Sequence, residues 1–161
     1  MKSDLLPLKT ERLIIKKTSL DDIDLILKMD QQEITQKYLG GIKNKTKEER
    51  LEFLNNKKDS LTVCLKDGTP IGFIELSINE YDNSAELSYI FDSDYSNNGY
   101  CTESCTELLN IGFNKLGIKK IYADTVKGNN SSIRVLEKLN FKYKGLSKRD
   151  NLTYIEYYIL K

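Results

Sequence analysis

The clearest capacity for chemistry lies in a short polar turn between a strand-like segment and a helix-like segment. The turn covers residues 94–99, DYSNNG, and an apolar-periodic run follows from Tyr100 to Leu116. The first N–H groups of a helix have no intrahelical acceptor, and they carry the positive end of the helix dipole. Asparagine tolerates left-handed backbone, and Gly99 allows a ligand to approach closely. The N–H groups of residues 97–102 are therefore predicted to bind a phosphate.

Other kinds of site are excluded by what the sequence lacks. The chain has no histidine, which excludes Ser-His-Asp and Cys-His nucleophiles and histidine metal ligands. It has neither the Gly-x-x-x-x-Gly-Lys-Ser/Thr motif of nucleoside triphosphatases nor the Gly-x-Gly-x-x-Gly motif of dinucleotide-binding folds. Its three cysteines are expected to be reduced packing residues. No metal ion is predicted.

Charge and length limit the class of protein. Lys+Arg 25 against Asp+Glu 24 leaves a net charge of +1, so no basic field for nucleic acid or an anionic membrane is expected. No apolar run approaches the roughly 20 residues of a membrane span, and the N-terminus lacks the apolar core of a signal peptide. At 161 residues, a single cytoplasmic domain over residues 1–161 is predicted.

Periodicity predicts the elements that position the turn. Residues 11–17 alternate as a strand, and capping boxes at Thr18 and Thr46 begin two helices on either side of a loop at residues 40–45. The remaining strands are predicted at residues 61–65, 70–78, 85–91, 118–125, 141–146 and 153–160, and the remaining helices at 100–116 and 130–139. The strand–helix–strand step at residues 85–125 predicts one parallel pair in an otherwise antiparallel sheet, in an α/β fold of the α+β type.

Motifs in this order resemble those of the GNAT superfamily of acetyl-CoA-dependent N-acetyltransferases, from Thr10 to Lys161. The branch with ribosomal-protein N-terminal, spermidine and some aminoglycoside acetyltransferases is the most similar. The resemblance implies a mixed, mostly antiparallel sheet with a splayed parallel pair, flanked by about four helices. The motifs are TERL at residues 10–13, IGFI at 71–74, AELSYIF at 85–91, the pyrophosphate loop NGYCTE at 98–103 and NNSSIRVLEKLNF at 129–141.

The resemblance also implies the reaction, an acetyl transfer from acetyl-CoA to a primary amine by direct attack in a ternary complex. The pantetheine arm is expected to pair with the backbone of residues 89–91, and the pyrophosphate to lie on the loop N–H groups. A backbone N–H near Ile90 would stabilise the oxyanion. The expected coenzyme contacts are Tyr89, Ile90, Phe91, Asn97, Asn98, Gly99, Tyr100, Cys101, Thr102, Asn129 and Ser132.

Glu86 and Ser132 are the candidate catalytic residues. An alkyl amine has a pKa near ~10 and must lose a proton, so Glu86 is the candidate general base, alone or through water. Strand alternation places it on one face with Ser88 and Ile90. The competing interpretation of Glu86 is a surface ion pair with a lysine. Ser132, water or, as a weaker candidate, Tyr143 would protonate the leaving thiolate.

Four positions depart from the family pattern. Ser96 stands where the pattern has Gln or Arg, and Cys101 stands where it has Gly or Ala. Ser96 is expected to lower coenzyme affinity without abolishing binding, because backbone N–H groups form most of the cradle. Leu136 replaces a tyrosine that many relatives use as general acid, and a leucine has no proton to donate. Asn140 replaces a glycine at a predicted left-handed helix end.

The acceptor stays open between a protein N-terminus and a small-molecule amine, including a polyamine or an aminoglycoside. Acidic residues of the first helices favour an amine but are also typical of helix starts, and nearby lysines oppose a polyamine. A third alternative is a non-catalytic coenzyme-A-binding sensor or interaction module. The resemblance also allows a homodimer, with residues 154–158 as a candidate interface. The acids are Asp21, Asp22, Asp24, Asp30 and Glu33, and the lysines are Lys43, Lys45 and Lys47.

Overall fold

A computed structural model of the protein describes residues 3–38, 45–57, 59–149 and 151–161. The loop predicted at residues 40–45, including Lys43, lies outside these ranges except for Lys45. Within them, no helix is long and apolar enough to cross a membrane.

The described residues form eight strands and five α-helices. The strands are β1 (Leu8–Lys9), β2 (Leu13–Lys17), β3 (Ser60–Leu65), β4 (Pro70–Asn79), β5 (Ser84–Phe91), β6 (Lys120–Val126), β7 (Lys142–Arg149) and β8 (Leu152–Leu160). The helices are α1 (Ile23–Asp30), α2 (Glu33–Tyr38), α3 (Lys47–Asn56), α4 (Tyr100–Asn114) and α5 (Asn130–Lys138). The short α2 brings the number to one more than the four predicted.

The strands form one sheet in the order β1-β2-β3-β4-β5-β6-β8-β7. Antiparallel ladders join β1 to β2, β2 to β3, β3 to β4, β6 to β8 and β7 to β8. The parallel pair is β5 with β6, where Ser84, Ala85 and Glu86 face Lys120, Ile121 and Tyr122. In the described chain this ladder covers only the first three residues of each strand. The prediction of a mixed, mostly antiparallel sheet with a splayed parallel pair is confirmed.

The chain divides into two compact units, and each has its own buried side chains. The first unit is Met1–Glu75 with Tyr89–Ser104, and the second is Leu76–Ser88 with Cys105–Lys161. In the first unit, side chains of α1 and α3 pack with Phe73 of β4, and Ile90 of β5 packs against them. This contact places the end of β5 against a rigid apolar surface.

In the second unit, α4 buries the apolar face that its periodicity predicts. Cys105, Leu108 and Leu109 are buried. A Cβ at Gly112 would lie 2.9 Å from the Leu76 side chain, so glycine lets this face of α4 approach β4 closely. Gly117, with φ +72°, follows the helix in the left-handed conformation predicted for its end.

The capping signals are confirmed for one helix and shifted by one residue for the other. Thr46 Oγ1 accepts from the Glu49 N–H at 3.2 Å, and Glu49 accepts from the Thr46 N–H at 2.7 Å, as predicted. The box predicted at Thr18 is wrong, because Ser19 and Asp22 form it. Asp22, rather than Asp21, takes part in the capping box because tertiary contacts hold its side chain there. It accepts from Lys16 Nζ at 2.7 Å and from Thr62 Oγ1 at 2.8 Å.

Candidate active site

The predicted phosphate loop has the backbone shape of an anion site. Asn97 and Gly99 are left-handed, with φ of 63° and 81°. The Asn98 side-chain amide donates to the carbonyls of Tyr95 at 3.2 Å and Ser96 at 3.1 Å. The Glu103 N–H donates to Gly99 O at 3.0 Å. The N–H groups of the first turn of α4 lie at the positive end of a helix of 15 residues.

Glu103, in the first turn of α4, is tied to the segment that precedes β2. Its Oε1 accepts from Thr10 Oγ1 at 2.6 Å and from the Arg12 N–H at 2.9 Å. Its Oε2 accepts from Arg12 Nε at 2.7 Å. Burial alone would raise the pKa of Glu103, but the hydrogen bonds from Thr10 and Arg12 outweigh it and hold the pKa below its usual range. Glu103 is therefore ionised at neutral pH.

Asp92 anchors the other end of the loop to the end of α1. This side chain is 1% exposed, and it accepts from Lys28 Nζ at 2.6 Å and Gln32 Nε2 at 2.6 Å. The Asp94 N–H adds a third hydrogen bond at 3.0 Å. Burial raises the pKa of Asp92, but these three donors outweigh it and lower the pKa below its usual range. The carboxylate of Asp92 in turn raises the pKa of Lys28.

The end of β5 is confined by a glycine on β4. Tyr89, Ile90 and Phe91 are half-buried, and the N–H of Asp92 donates to Ile71 O at 3.0 Å. A Cβ on Gly72 would lie 2.7 Å from Ile90 O and 2.7 Å from the Phe91 ring. The close approach therefore requires glycine, which gives a physical reason for the IGFI motif.

Glu86, the candidate base, lies in the second unit on the wall of a cavity of about 550 Å³. It is exposed, as is Ser88 two residues further along the same face of β5. Glu86 makes no ion pair with any residue in the described part of the chain. The interpretation of Glu86 as one half of a surface ion pair is therefore not supported there.

The cavity beside Glu86 has an excess of acidic side chains. Its wall contains four carboxylates and two cations, and each cation is paired with a carboxylate. Lys144 Nζ donates to Glu156 at 2.9 Å, and Arg149 donates to Asp124. The charged lining residues are Asp82, Glu86, Asp124, Glu156, Lys144 and Arg149.

Asn129 and Ser132, the site candidates at the start of α5 in the second unit, have structural roles in the first turn of that helix. Asn129 is the N-cap, and its Oδ1 accepts from the Ser132 N–H at 3.3 Å. Ser132 is half-buried in the first turn of the helix. Leu136 is 0% exposed and serves packing. Tyr143 on β7 is 61% exposed, and its ring meets the Tyr157 ring edge-on with centroids 6.4 Å apart.

The structure therefore groups the predicted site residues by unit. Residues 89–91 and 97–102 lie in the first unit, and Glu86, Asn129 and Ser132 lie in the second. Sequence reasoning missed the roles of Arg12, Lys28, Asp92 and Glu103. The only local signal for these four was the presence of Arg12 and Glu103 within recognised motifs.

The described residues also include the three cysteines and several acids of the first helices. Burial raises the pKa of the Cys64 thiol, Cys105 is buried, and all three cysteines are free. Among the described residues, no group of three or more acidic or cysteine side chains could hold a metal ion. Of the acids on the first helices, Asp22 is bonded to Lys16 and Asp30 is paired with the buried Arg50, so these two serve structure.

The mostly antiparallel sheet with one parallel pair and its flanking helices is the fold of the GNAT acetyltransferases. Residues 12–142 match the family model described as the acetyltransferase (GNAT) domain. The chain belongs to the GNAT acetyltransferase family, and it is an acetyl-CoA-dependent N-acetyltransferase.

One curated relative and two solved structures illustrate what the chain is similar to. The uncharacterized N-acetyltransferase YnaD of Bacillus subtilis is 26% identical over 87% of this chain and 85% of its own length. A crystal structure of a GNAT-family acetyltransferase from Bacillus anthracis is 25% identical with a TM-score of 0.86, covering 95% of this chain and 97% of that one. The spermidine N-acetyltransferase of Vibrio cholerae, solved with CoA and spermine, is 20% identical with a TM-score of 0.81, covering 94% and 96%.

Proposed function

We propose that the protein transfers the acetyl group of acetyl-CoA to a primary amine by direct attack in a ternary complex, with Glu86 as general base. The observation that carries this proposal is the position of Glu86. It is an exposed carboxylate on a cavity wall, with no ion-pair partner among the described residues. A carboxylate in that situation is available to an incoming ammonium group.

The coenzyme contacts follow the family resemblance and the loop geometry. The backbone N–H groups of Asn97, Asn98, Gly99, Tyr100, Cys101 and Thr102 hold the pyrophosphate. Two left-handed residues and the start of α4 support this role. The backbone of residues 89–91 pairs with the pantetheine arm as an added strand would. Asn129 and Ser132 contribute further contacts from α5.

The reaction balances when the amine loses two protons, one to Glu86 and one to the leaving thiolate. Glu86 takes a proton from the ammonium group, directly or through water, and the neutral nitrogen attacks the thioester carbonyl. The N–C bond forms, and the backbone N–H near Ile90 stabilises the oxyanion. The C–S bond then breaks, and the second proton of the now positively charged nitrogen passes through Ser132 or water to the thiolate, whose thiol has a pKa near ~8.5.

The acceptor is either an N-terminal amine of a protein or a small-molecule amine. Four carboxylates against two cations on the cavity wall favour a cationic acceptor, and this supports a polyamine as the second candidate class. Membership of the acetyltransferase family, together with the uncommitted Glu86, favours an enzyme over a non-catalytic coenzyme-binding module.

We also propose that both compact units belong to one acetyltransferase domain. The family model spans residues 12–142 and so includes parts of both. β4, β5 and α4 each begin in one unit and end in the other. A homodimer through residues 154–158 would have to use a face of β8, because β8 lies between β6 and β7 in the sheet.

One assay tests the proposed function. The protein is incubated with acetyl-CoA and a panel of polyamines, aminoglycosides and N-terminal peptides, and the release of free thiol is followed. Thiol release with at least one amine is expected. Coenzyme binding without release on the whole panel would favour the binding module, and failure to bind acetyl-CoA would refute both enzyme alternatives.

A further inference from the structure

The phosphate loop lacks the long polar side chain that the family pattern places at residue 96. Ser96 is exposed, and its N–H already donates to Ser93 O at 3.1 Å. A serine hydroxyl is too short to bridge the loop to the start of α4. Some other group must fix the carbonyl of Asn98 and the first helical turn, because a left-handed Gly99 between them is the most flexible residue of the loop.

Arg12 contacts every part of that junction. Its Nη1 donates to Asn98 O at 3.0 Å, and its Nε donates to Glu103 Oε2 at 2.7 Å. The guanidinium carbon lies 4.7 Å from the centre of the Tyr100 ring. A Cβ at Gly99 would lie 3.4 Å from Arg12 Nη2. One planar side chain therefore touches or borders residues 98, 99, 100 and 103.

The geometry of these contacts depends on a guanidinium. Its N–H groups form a rigid fork, so Nη1 donates to the Asn98 carbonyl while Nε donates to the Glu103 carboxylate and Nη2 lies 2.7 Å from Glu103 Oε2. A lysine ammonium has the charge but not the fork or the plane that stacks on Tyr100. The pair is also anchored, because Glu103 accepts from Thr10 Oγ1 and from the Arg12 backbone.

We propose that Arg12, together with Glu103, is a coenzyme-positioning residue. It holds the Asn98 carbonyl and the first turn of α4 so that the N–H groups between them converge on a phosphate. It thereby supplies the rigidity that the short side chain of Ser96 does not. This inference rests on the proposed coenzyme site in the same loop, and it assigns Arg12 no direct part in the acetyl transfer.

Arg12→Gln tests the proposal through binding and kinetics. We expect the Kd of acetyl-CoA to rise about tenfold, the effect of losing one charge-assisted hydrogen bond, and the KM for acetyl-CoA to rise in parallel. The kcat at saturating acetyl-CoA and the KM for the amine should change less than about twofold, because the reacting groups are not displaced. S-acetylpantetheine, which has no phosphate, should bind both proteins equally.

Arg12→Lys separates positioning from charge. Because a lysine keeps the charge but not the fork, its Kd for acetyl-CoA should lie between those of the wild type and Arg12→Gln. Full rescue by lysine would overturn the positioning role and leave a simple charge effect. The same variant keeps the proposal testable if Arg12→Gln does not fold.

Lys57→Gln is the matched control for coenzyme binding. Lys57 is 40% exposed against 45% for Arg12, and it likewise has one carboxylate partner, Glu75, and one aromatic ring, Phe53 at 5.7 Å. Its Kd for acetyl-CoA should equal that of the wild type. An unchanged Kd in Arg12→Gln would overturn the inference, whereas a wild type that does not bind acetyl-CoA would overturn the proposed function instead.

Discussion

Asp92 and Glu103, at the two ends of the phosphate loop, differ from Glu86 on the cavity wall in how many donors surround each carboxylate. Asp92 accepts three hydrogen bonds and Glu103 accepts three. Glu86 is exposed and has no ion pair among the described residues. Although the three acids lie within one short stretch of sequence, Glu86 alone among them has no ion-pair partner in the described residues, which suits the general-base role proposed for it.

The difference in hydrogen-bond donors indicates which of the three carboxylates suit the proposed proton transfer. The donors around Asp92 and Glu103 lower the pKa of each, so these groups stay ionised and are weak proton acceptors at neutral pH. Their effect is to hold the loop at both ends. A carboxylate that holds structure and one proposed to accept a proton therefore differ in their partners, and substitutions at each should affect different measurements.

Glu86→Gln should produce the largest effect and should sharpen this comparison. We expect kcat to fall by about 100-fold or more, because positioned general bases contribute that much, while the Kd of acetyl-CoA stays unchanged. Stopped assays give kcat, and calorimetry gives the Kd. The acidic limb of the pH–rate profile should also change, and a profile of unchanged shape would exclude Glu86 as the base.

Glu80→Gln is the control for this substitution. Glu80 is another exposed glutamate near the turn between β4 and β5. Its replacement should leave kcat at the wild-type value, and a fall equal to that of Glu86→Gln would indicate a general charge effect.

Asp92→Asn should lower stability rather than kcat. Asparagine keeps the shape but loses the charge that Lys28 and Gln32 contact, and hydrogen bonds to a charged group contribute about 2 kcal/mol to the free energy of unfolding. Urea unfolding followed by circular dichroism measures the loss. Asp94→Asn is the matched control, because Asp94 contacts the same Lys28 but is 65% exposed, so a change within about 0.5 kcal/mol is expected. Equal losses in the two variants would contradict the distinction.

Acidification should have the smallest effect. Because the pKa values of Asp92 and Glu103 are lowered in the folded protein, the unfolded chain binds more protons below about pH 5. The free energy of unfolding should therefore fall between about pH 5 and pH 3.5, towards and below the unfolded carboxyl pKa values of about 4. Asp92→Asn and Glu103→Gln should each show a shallower fall than the wild type. Identical slopes would mean that these acids are not the linked groups.

The sequence predictions were accurate for interactions between residues close together in the chain and failed for interactions between residues far apart in it. The apolar face of α4 and the cap at Thr46 depend on neighbours three or four residues away, and both were predicted. Ser19, rather than Thr18, caps the first helical segment because Asp22 is held by Thr62, which no local pattern reveals. β1 has two residues and α2 has six, too few for a periodic signal.

The same reasoning applies to the candidate site. The left-handed turn and helix start of the predicted phosphate loop could be found from the sequence, since Asn97, Gly99 and the start of α4 are adjacent in the chain. The contacts that hold it could not, because Arg12 and Glu103 are 91 residues apart and Lys28 and Asp92 are 64 residues apart. Such pairings exist only once the fold has formed.

Gly72 and Gly99 would both resist substitution in a saturation library, but for different physical reasons. Gly99 is restricted by its backbone torsion, so asparagine or aspartate, which enter the left-handed region most readily, would be the best replacements. Gly72 is restricted by volume, since the nearest atoms belong to a carbonyl and a ring. Even alanine, which adds only one methyl group, would displace the end of β5, and no change of backbone torsion at residue 72 relieves that contact.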